Sequence, residues 1–279
     1  MKLTQDQIKG QLKSLAAKEG ADARMLLRLY MMERFLERLS ASEYSEKFVI
    51  KGGLLVTALV GVSMRSTMDI DASIRGWNLN AEEASRVIAE VANIDIGDGA
   101  SFSVKGSQTI MDDFEYPGIR VLLTGTIDKI EVPFKIDIST GDAITPRAIE
   151  YDFPVMLEDR EIRLWTYNLE TVIAEKVQTI LARGILNTRM RDYYDVHMLL
   201  AVYKNKIDHT VLKHAFAATC ERRGHVFGNL EAFGILEQVA GDRHLTGLWE
   251  LYRKKYTYAA GIEFEDVINT IKGVMAFIV

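Results

Sequence analysis

The sequence is poor in the residues that staple or stiffen a chain. Among its 279 residues it has one cysteine, Cys220, so no disulfide can form within the chain. A single thiol suits a reducing compartment. Proline occurs four times, too rarely for a rigid extended linker. Basic charge is in deficit as well: 34 Lys and Arg against 39 Asp and Glu give a net charge of −5. That balance argues against a protein that coats nucleic acid non-specifically, although a local basic groove is compatible with it.

Long apolar runs are also missing. The most apolar stretches are Val49 to Val62 and Val274 to Val279. Both fall short of the roughly 20 residues that span a bilayer. The start, Met1-Lys2-Leu3-Thr4-Gln5-Asp6, turns polar at once and has no apolar core for a signal peptide. The expectation is a cytoplasmic protein with no membrane partner. What is present is an ordinary globular mix, 48% hydrophobic and 26% charged. The length allows one large domain or two modest ones.

The patterning changes once along the chain. Ile8, Leu12, Leu15 and Ala16 recur at helical spacing, and so, more loosely, do Leu26, Leu29, Tyr30, Phe35 and Leu36. Asp22 is placed to cap the second helix. Phe48-Val49-Ile50 reads as a short strand, broken by Gly52-Gly53 before an apolar helix from Leu54 to Leu59. Met68 to Ile74 alternates with period two and predicts a strand. Asn80 with Glu83 marks a capped helix start. From Phe102 to Trp165 the texture is β. Strands are predicted at Gly118–Ile127 and Glu131–Ser139, joined at Asp128-Lys129, with shorter ones at Phe153–Leu157 and Ile162–Trp165. Helices follow at 169–183, 190–204, 209–223, 229–239, 243–257 and 264–277. The predicted class is α+β: a mixed-sheet core over residues 1–165, then a helical domain over 166–279.

Three neighbourhoods carry chemistry. In the first, Lys51-Gly52-Gly53 precedes Arg65-Ser66-Thr67-Met68-Asp69-Ile70-Asp71. Residues two apart on a strand share a face, so Asp69 and Asp71 are expected side by side. Such paired carboxylates repel unless a cation neutralises them, and hard oxygen ligands suit Mg2+ or Mn2+. Gly52-Gly53 lies where a strand turns into a helix, a place where free N–H groups meet phosphate. Together these point to attack on a nucleoside triphosphate, with pyrophosphate leaving. In the second, Asp137 sits in the apolar strand Phe134-Lys135-Ile136-Asp137-Ile138. Beside the first strand it would be a third carboxylate, either holding a second metal or accepting the proton of the attacking hydroxyl. In the third, Lys176 lies on an otherwise apolar helix face, and Asp192 and Asp195 share a face of the next helix. Between Lys176 and Arg191 the chain has no acidic residue. That basic stretch suits a triphosphate or an RNA end.

These motifs together resemble the AbiEii/AbiGii toxin-like nucleotidyltransferases, which include MenT-like toxins of toxin–antitoxin systems. Lys51-Gly52-Gly53 and Arg65-Ser66-Thr67-x-Asp69-x-Asp71 match one block. Glu175-Lys176 and Arg191-Asp192-x-x-Asp195 match the second in type and order, over about residues 46 to 200. The resemblance implies a polymerase-β-like core followed by a helical C-terminal domain. It implies that Lys51 contacts triphosphate, that Asp69 and Asp71 bind metal, and that Lys176 holds phosphate with Asp192 in or near the site. Arg65, Thr67 and Asp195 fall within the matching blocks and count with the nucleotide-binding residues. It further implies a tRNA 3′ end as acceptor and a cognate antitoxin as partner.

Simpler readings stand beside these. Asp-x-Asp can face solvent, and Gly-Gly can be only a tight turn. Lys176 can snorkel, and Asp192 and Asp195 can pair with Arg189 and Arg191. Arg65 can be a structural partner of the carboxylates. The five histidines show no zinc-ligand spacing, and no serine has a nucleophile-elbow context. Tyr252, Tyr256 and Tyr258 flank Arg253-Lys254-Lys255, where they can stack on RNA bases or simply pack a helix end. Two other functions compete: adenylyl transfer to a small molecule or protein, and nucleotide binding without turnover.

Overall fold

The structure, a computed structural model, describes residues 4–77, 80–110 and 118–278. Met1–Leu3 and Val279 of the segments discussed above, and 111–117 within the β-rich stretch, fall outside the described residues. The chain forms two compact units. The first is Met1–Gly141 with Ile149–Thr166; the second is Asp142–Ala148 with Tyr167–Val279.

The first unit begins with α1 (Gln5–Glu19) and α2 (Ala23–Ser40). The Asp22 side chain accepts from Met25 N–H at 2.8 Å, which caps α2. Then come β1 (Phe48–Lys51), α3 (Gly52–Val60), β2 (Ile70–Ile74) and α4 (Ala81–Ala92). Asn80 and Glu83 form a reciprocal capping box at the start of α4. Strands β3 (Ala100–Ile110), β4 (Gly118–Ile127), β5 (Ile130–Thr140), β6 (Ile149–Pro154) and β7 (Glu161–Thr166) complete the unit.

The seven strands form one sheet in the order β3-β4-β5-β2-β1-β7-β6. It is mixed: β2 runs parallel to β5 and β1 parallel to β7, while the other neighbours are antiparallel. Parallel pairing of β2 with β5 needs a long crossover, which α4, β3 and β4 supply. Phe35 of α2 packs edge-on against Phe102 and Phe134 of the sheet, with centroids 5.8 and 6.2 Å away. Each such side chain, taken from water, contributes roughly 1.5–3 kcal/mol.

The same helix buries charge. Arg38 sends both terminal nitrogens to Asp98 at 2.8 Å and one of them to Ala100 carbonyl at 2.7 Å. Glu33 accepts from Arg34 at 2.7 Å and from Met156 N–H at 2.6 Å. Each of these buried groups has a hydrogen-bonded partner of opposite charge, which offsets the cost of burial.

The second unit is helical: α5 (Leu169–Arg183), α6 (Met190–Tyr203), α7 (His209–Arg222), α8 (Asn229–Gly241), α9 (Arg243–Lys255) and α10 (Phe264–Ile278). The observed class is therefore α+β, a mixed sheet with helices followed by a helical C-terminal region. Among the described residues, no helix is long and apolar enough to cross a membrane.

Three local expectations need correction. The strand expected over Phe153–Leu157 lies earlier, at Ile149–Pro154 (β6), because it pairs antiparallel with β7 from Ile149↔Thr166 to Pro154↔Glu161. The strand expected over Met68–Ile74 begins only at Ile70. Its last rung with β1 is Lys51↔Asp71, because β1 turns into α3 at the next residue and leaves Met68 and Asp69 no partner there. Asp69 thus lies just ahead of the strand, and strand alternation does not set its direction. The glycine pair does not delay the helix to Leu54 either, since α3 starts at Gly52 itself.

Candidate active site

β1, α3, β2 and β5 build the first-unit site. Register places Asp71 opposite Lys51 on one side and opposite Asp137 on the other. The third carboxylate thus stands beside Asp71 because β2 and β5 run parallel in this alignment.

The turn from β1 to α3 wraps the Asp71 carboxylate. Gly53 N–H donates to Asp71 Oδ2 at 3.2 Å, satisfying one amide of the helix start. Gly52 has φ of 63°, in the left-handed region, and a Cβ there would stand 2.6 Å from Asp71 Cγ. Both facts require glycine. A Cβ at Gly53 would meet Thr67 Oγ1 at 2.7 Å and Arg65 Nη2 at 3.3 Å. Arg65 and Thr67 are buried, and Arg65 donates to Ser66 carbonyl. They form the wall against which the glycine turn packs. Lys51, at the end of β1, is half-buried.

The Asp71 carboxyl is pushed up to about 6, chiefly by burial, with the Asp137 and Asp69 charges acting in the same direction and Gly53 N–H and Lys51 pulling against them.

Sequence reading missed two cations here. Arg120 of β4 faces Asp137 across the antiparallel ladder. It grips that carboxylate with both forks, Nε to Oδ1 at 2.7 Å and Nη2 to Oδ2 at 2.8 Å. Lys135 Nζ lies 3.4 Å from Asp69 Oδ2 and 3.5 Å from Asp137 Oδ2. Neither has a local motif; only strand pairing reveals them. Lys135 does sit two residues before Asp137, the one spacing from which a shared face could be read.

The donor chemistry fits a divalent cation at Asp69 and Asp71. Both are hard oxygen ligands, and burial with two neighbouring acids disfavours the charge on Asp71. Arg120 engages Asp137, and Lys135 lies between Asp137 and Asp69, 3.5 and 3.4 Å from their Oδ2 atoms. Among the described residues, no three His, Cys, Asp or Glu side chains are gathered as a ready metal cage.

The second unit holds its own constellation. Lys176 of α5 reaches Asp192 Oδ1 at 3.0 Å and Asp195 Oδ2 at 2.7 Å on α6. Asp195 is fully buried, and Lys176 and Asp192 nearly so. The Asp192 Oδ2 atom is buried without a hydrogen-bond partner. Lys176 is therefore no snorkelling surface residue, and the two aspartates pair with it.

The first unit thus wraps a strand-to-helix glycine turn on Asp71 in a mixed sheet, and the second holds a buried Lys–Asp–Asp set. The family model described as "Nucleotidyl transferase AbiEii toxin, Type IV TA system" matches residues 34–270, and the chain belongs to that family. Three solved structures are similar in outline. One, from H. pylori, is provisionally described as a nucleotidyltransferase; it is 16% identical with a TM-score of 0.49, covering 92% of this chain and 95% of its own. JHP933 from Helicobacter pylori is 15% identical with a TM-score of 0.49 and covers 92% of each chain. An antigenic nucleotidyltransferase-like protein from Paracoccidioides brasiliensis is 12% identical with a TM-score of 0.36, covering 80% of this chain and 92% of its own. No curated protein matches the sequence.

Proposed function

We propose that this protein transfers a nucleotidyl group from a nucleoside triphosphate to an acceptor hydroxyl, an RNA 3′ end such as that of tRNA, in the cytoplasm. The acceptor oxygen forms a bond to the α-phosphorus, the bond to the bridging oxygen breaks, and pyrophosphate leaves. Bound Mg2+ or Mn2+ would supply charge neutralisation for the triphosphate. Asp69 and Asp71 would hold it. The backbone at Gly52-Gly53 would lie against phosphate, with Lys51 adding charge. Arg65 and Thr67 would act by bracing that turn. Asp137, oriented by Arg120, would accept the acceptor's proton or complete the metal site. Lys176, with Asp192 and Asp195, would be the second unit's own phosphate-binding set.

The observation that carries this reading is Asp71 itself, wrapped by the start of α3 and set beside Asp137 by register. The family description adds the toxin role, and with it a cognate antitoxin as partner.

The test is incubation of purified protein with each labelled triphosphate, Mg2+ and total RNA. Label is expected on small RNAs with wild type and on none with Asp69→Ala. Equal labelling by both would end the proposal. Label on proteins or small molecules instead would assign the acceptor elsewhere, and triphosphate binding without pyrophosphate release would mark a binding module.

A further inference from the structure

The second unit carries an aromatic cluster that the chemistry above leaves unused. Trp249 is fully buried and stacks on Tyr252 at 5.4 Å. Tyr252 in turn packs against Tyr256 at 4.8 Å. Beyond this base, Tyr256 and Tyr258 stack on each other, 5.3 Å apart and 21° from parallel. Both are only partly buried. Cations surround them. Lys255 Nζ lies 5.3 Å from the Tyr256 ring and Arg191 Cζ 5.7 Å from it. Lys254 is exposed alongside. Arg253 is not part of this group, because Glu250 and Glu263 bind it at 2.9 and 2.6 Å.

The rings are held in place. Arg191 donates to Tyr256 hydroxyl at 2.9 Å, and the hydroxyls of Tyr252 and Tyr258 meet at 3.3 Å. Arg191 directly precedes Asp192, which ties the cluster to the Lys176–Asp192–Asp195 set within the same unit.

We infer that Tyr256 and Tyr258, with Arg191 and Lys255, form a stacking platform for the unpaired bases of a single-stranded RNA 3′ end. Flat rings beside cations are what a flexible strand needs: the rings can take any base face, and the cations meet the backbone. The acidic overall balance does not oppose this, since charge acts through its local distribution, and Arg191, Lys254 and Lys255 lie beside these rings. This inference rests on the reading of RNA as the acceptor.

The experiment uses the full chain and a tRNA with a protruding 3′ end, measured by fluorescence anisotropy against a blunt duplex of the same length. Tyr256→Ala is expected to weaken binding of the protruding end by roughly 5- to 150-fold, the range for one lost base stack. Tyr256→Phe, which keeps the ring and loses the hydroxyl bond to Arg191, is expected to lose much less affinity than Tyr256→Ala. A tRNA carrying 5-iodouridine next to its terminus should photocrosslink wild type within the peptide that contains Tyr256 and Tyr258. This last readout needs no variant to fold.

Equal affinity for blunt and protruding ends would overturn the platform, as would a crosslink confined to other peptides. So would a raised KM for triphosphate with RNA affinity unchanged. Specific binding and crosslinking without nucleotide transfer would sustain the platform while sinking the transfer reading. Transfer that Tyr256→Ala leaves unchanged in KM for RNA would do the reverse.

Discussion

Gly52 and Asp71 exclude one another's alternatives: the space a Cβ at position 52 would fill is already taken by the Asp71 carboxyl, 2.6 Å from its Cγ. Gly52→Ala therefore meets two penalties, the clash and a left-handed φ that costs an L-residue roughly 1–2 kcal/mol. The expected outcome is a lower Tm together with loss of nucleotide transfer. A folded, fully active Gly52→Ala protein would show that the turn does not hold Asp71 where the structure has it.

Metal binding should be visible without turnover. A cation that binds only the folded state stabilises it by about 2.7 kcal/mol at one hundred times its Kd. Millimolar Mg2+ or Mn2+ is expected to raise the Tm of wild type and to leave Asp69→Asn and Asp71→Asn unmoved. EDTA should reverse the rise. An equal rise in all three proteins would place the ion elsewhere.

Lys176 has a structural debt as well as a chemical role. Its removal takes away the ammonium 2.7 Å from the fully buried Asp195 carboxylate. Breaking a buried pair from one side costs roughly 3–5 kcal/mol. Lys176→Met should lose about that much in urea unfolding, and Lys176→Met with Asp195→Asn should regain part of it. A single variant as stable as wild type would refute the pairing.

Acid should act at Asp98. Burial alone would push this carboxyl up, but the Arg38 fork overcomes burial and holds it below its ordinary value of 3.8. The stability it contributes is complete above that ordinary value and is lost as pH falls through the lower, folded one. Wild type should thus lose more stability than Asp98→Asn between about pH 4 and pH 2. Parallel melting curves for the two proteins across that range would disprove the link.

The helices could be read from the sequence because their signals are local. Asp22 and the Asn80–Glu83 pair stop and start chain segments within a few residues, and both act as expected. Helices α5 to α10 also follow their apolar spacing. Strand β3 was not resolved within the β-rich stretch. It lies at the sheet edge, and a register shift between Val104 and Gly106 breaks the alternation that marks a strand. The site divides the same way. Asp69, Asp71 and the glycine pair announce themselves within one motif. Arg120 reaches Asp137 only through the β4–β5 ladder, over 17 residues of chain, and no local pattern reports that register.

The short segment Asp142–Ala148 belongs to the second unit although the first resumes after it. It is sewn to the start of α5. Asn168 Nδ2 donates to Thr145 carbonyl at 2.6 Å, Thr145 N–H to Thr171 Oγ1 at 3.2 Å, and Tyr167 hydroxyl to Asp142 Oδ2 at 2.8 Å. The backbone therefore passes from one unit to the other three times. No single protease cut or stop codon can separate them cleanly. A fragment ending at Thr166 would carry a stitch with nothing to hold, and a fragment beginning at Tyr167 would expose the groups that stitch satisfies. Anyone wishing to study the helical unit alone would need to graft Asp142–Ala148 back onto it, by circular permutation or as an added peptide.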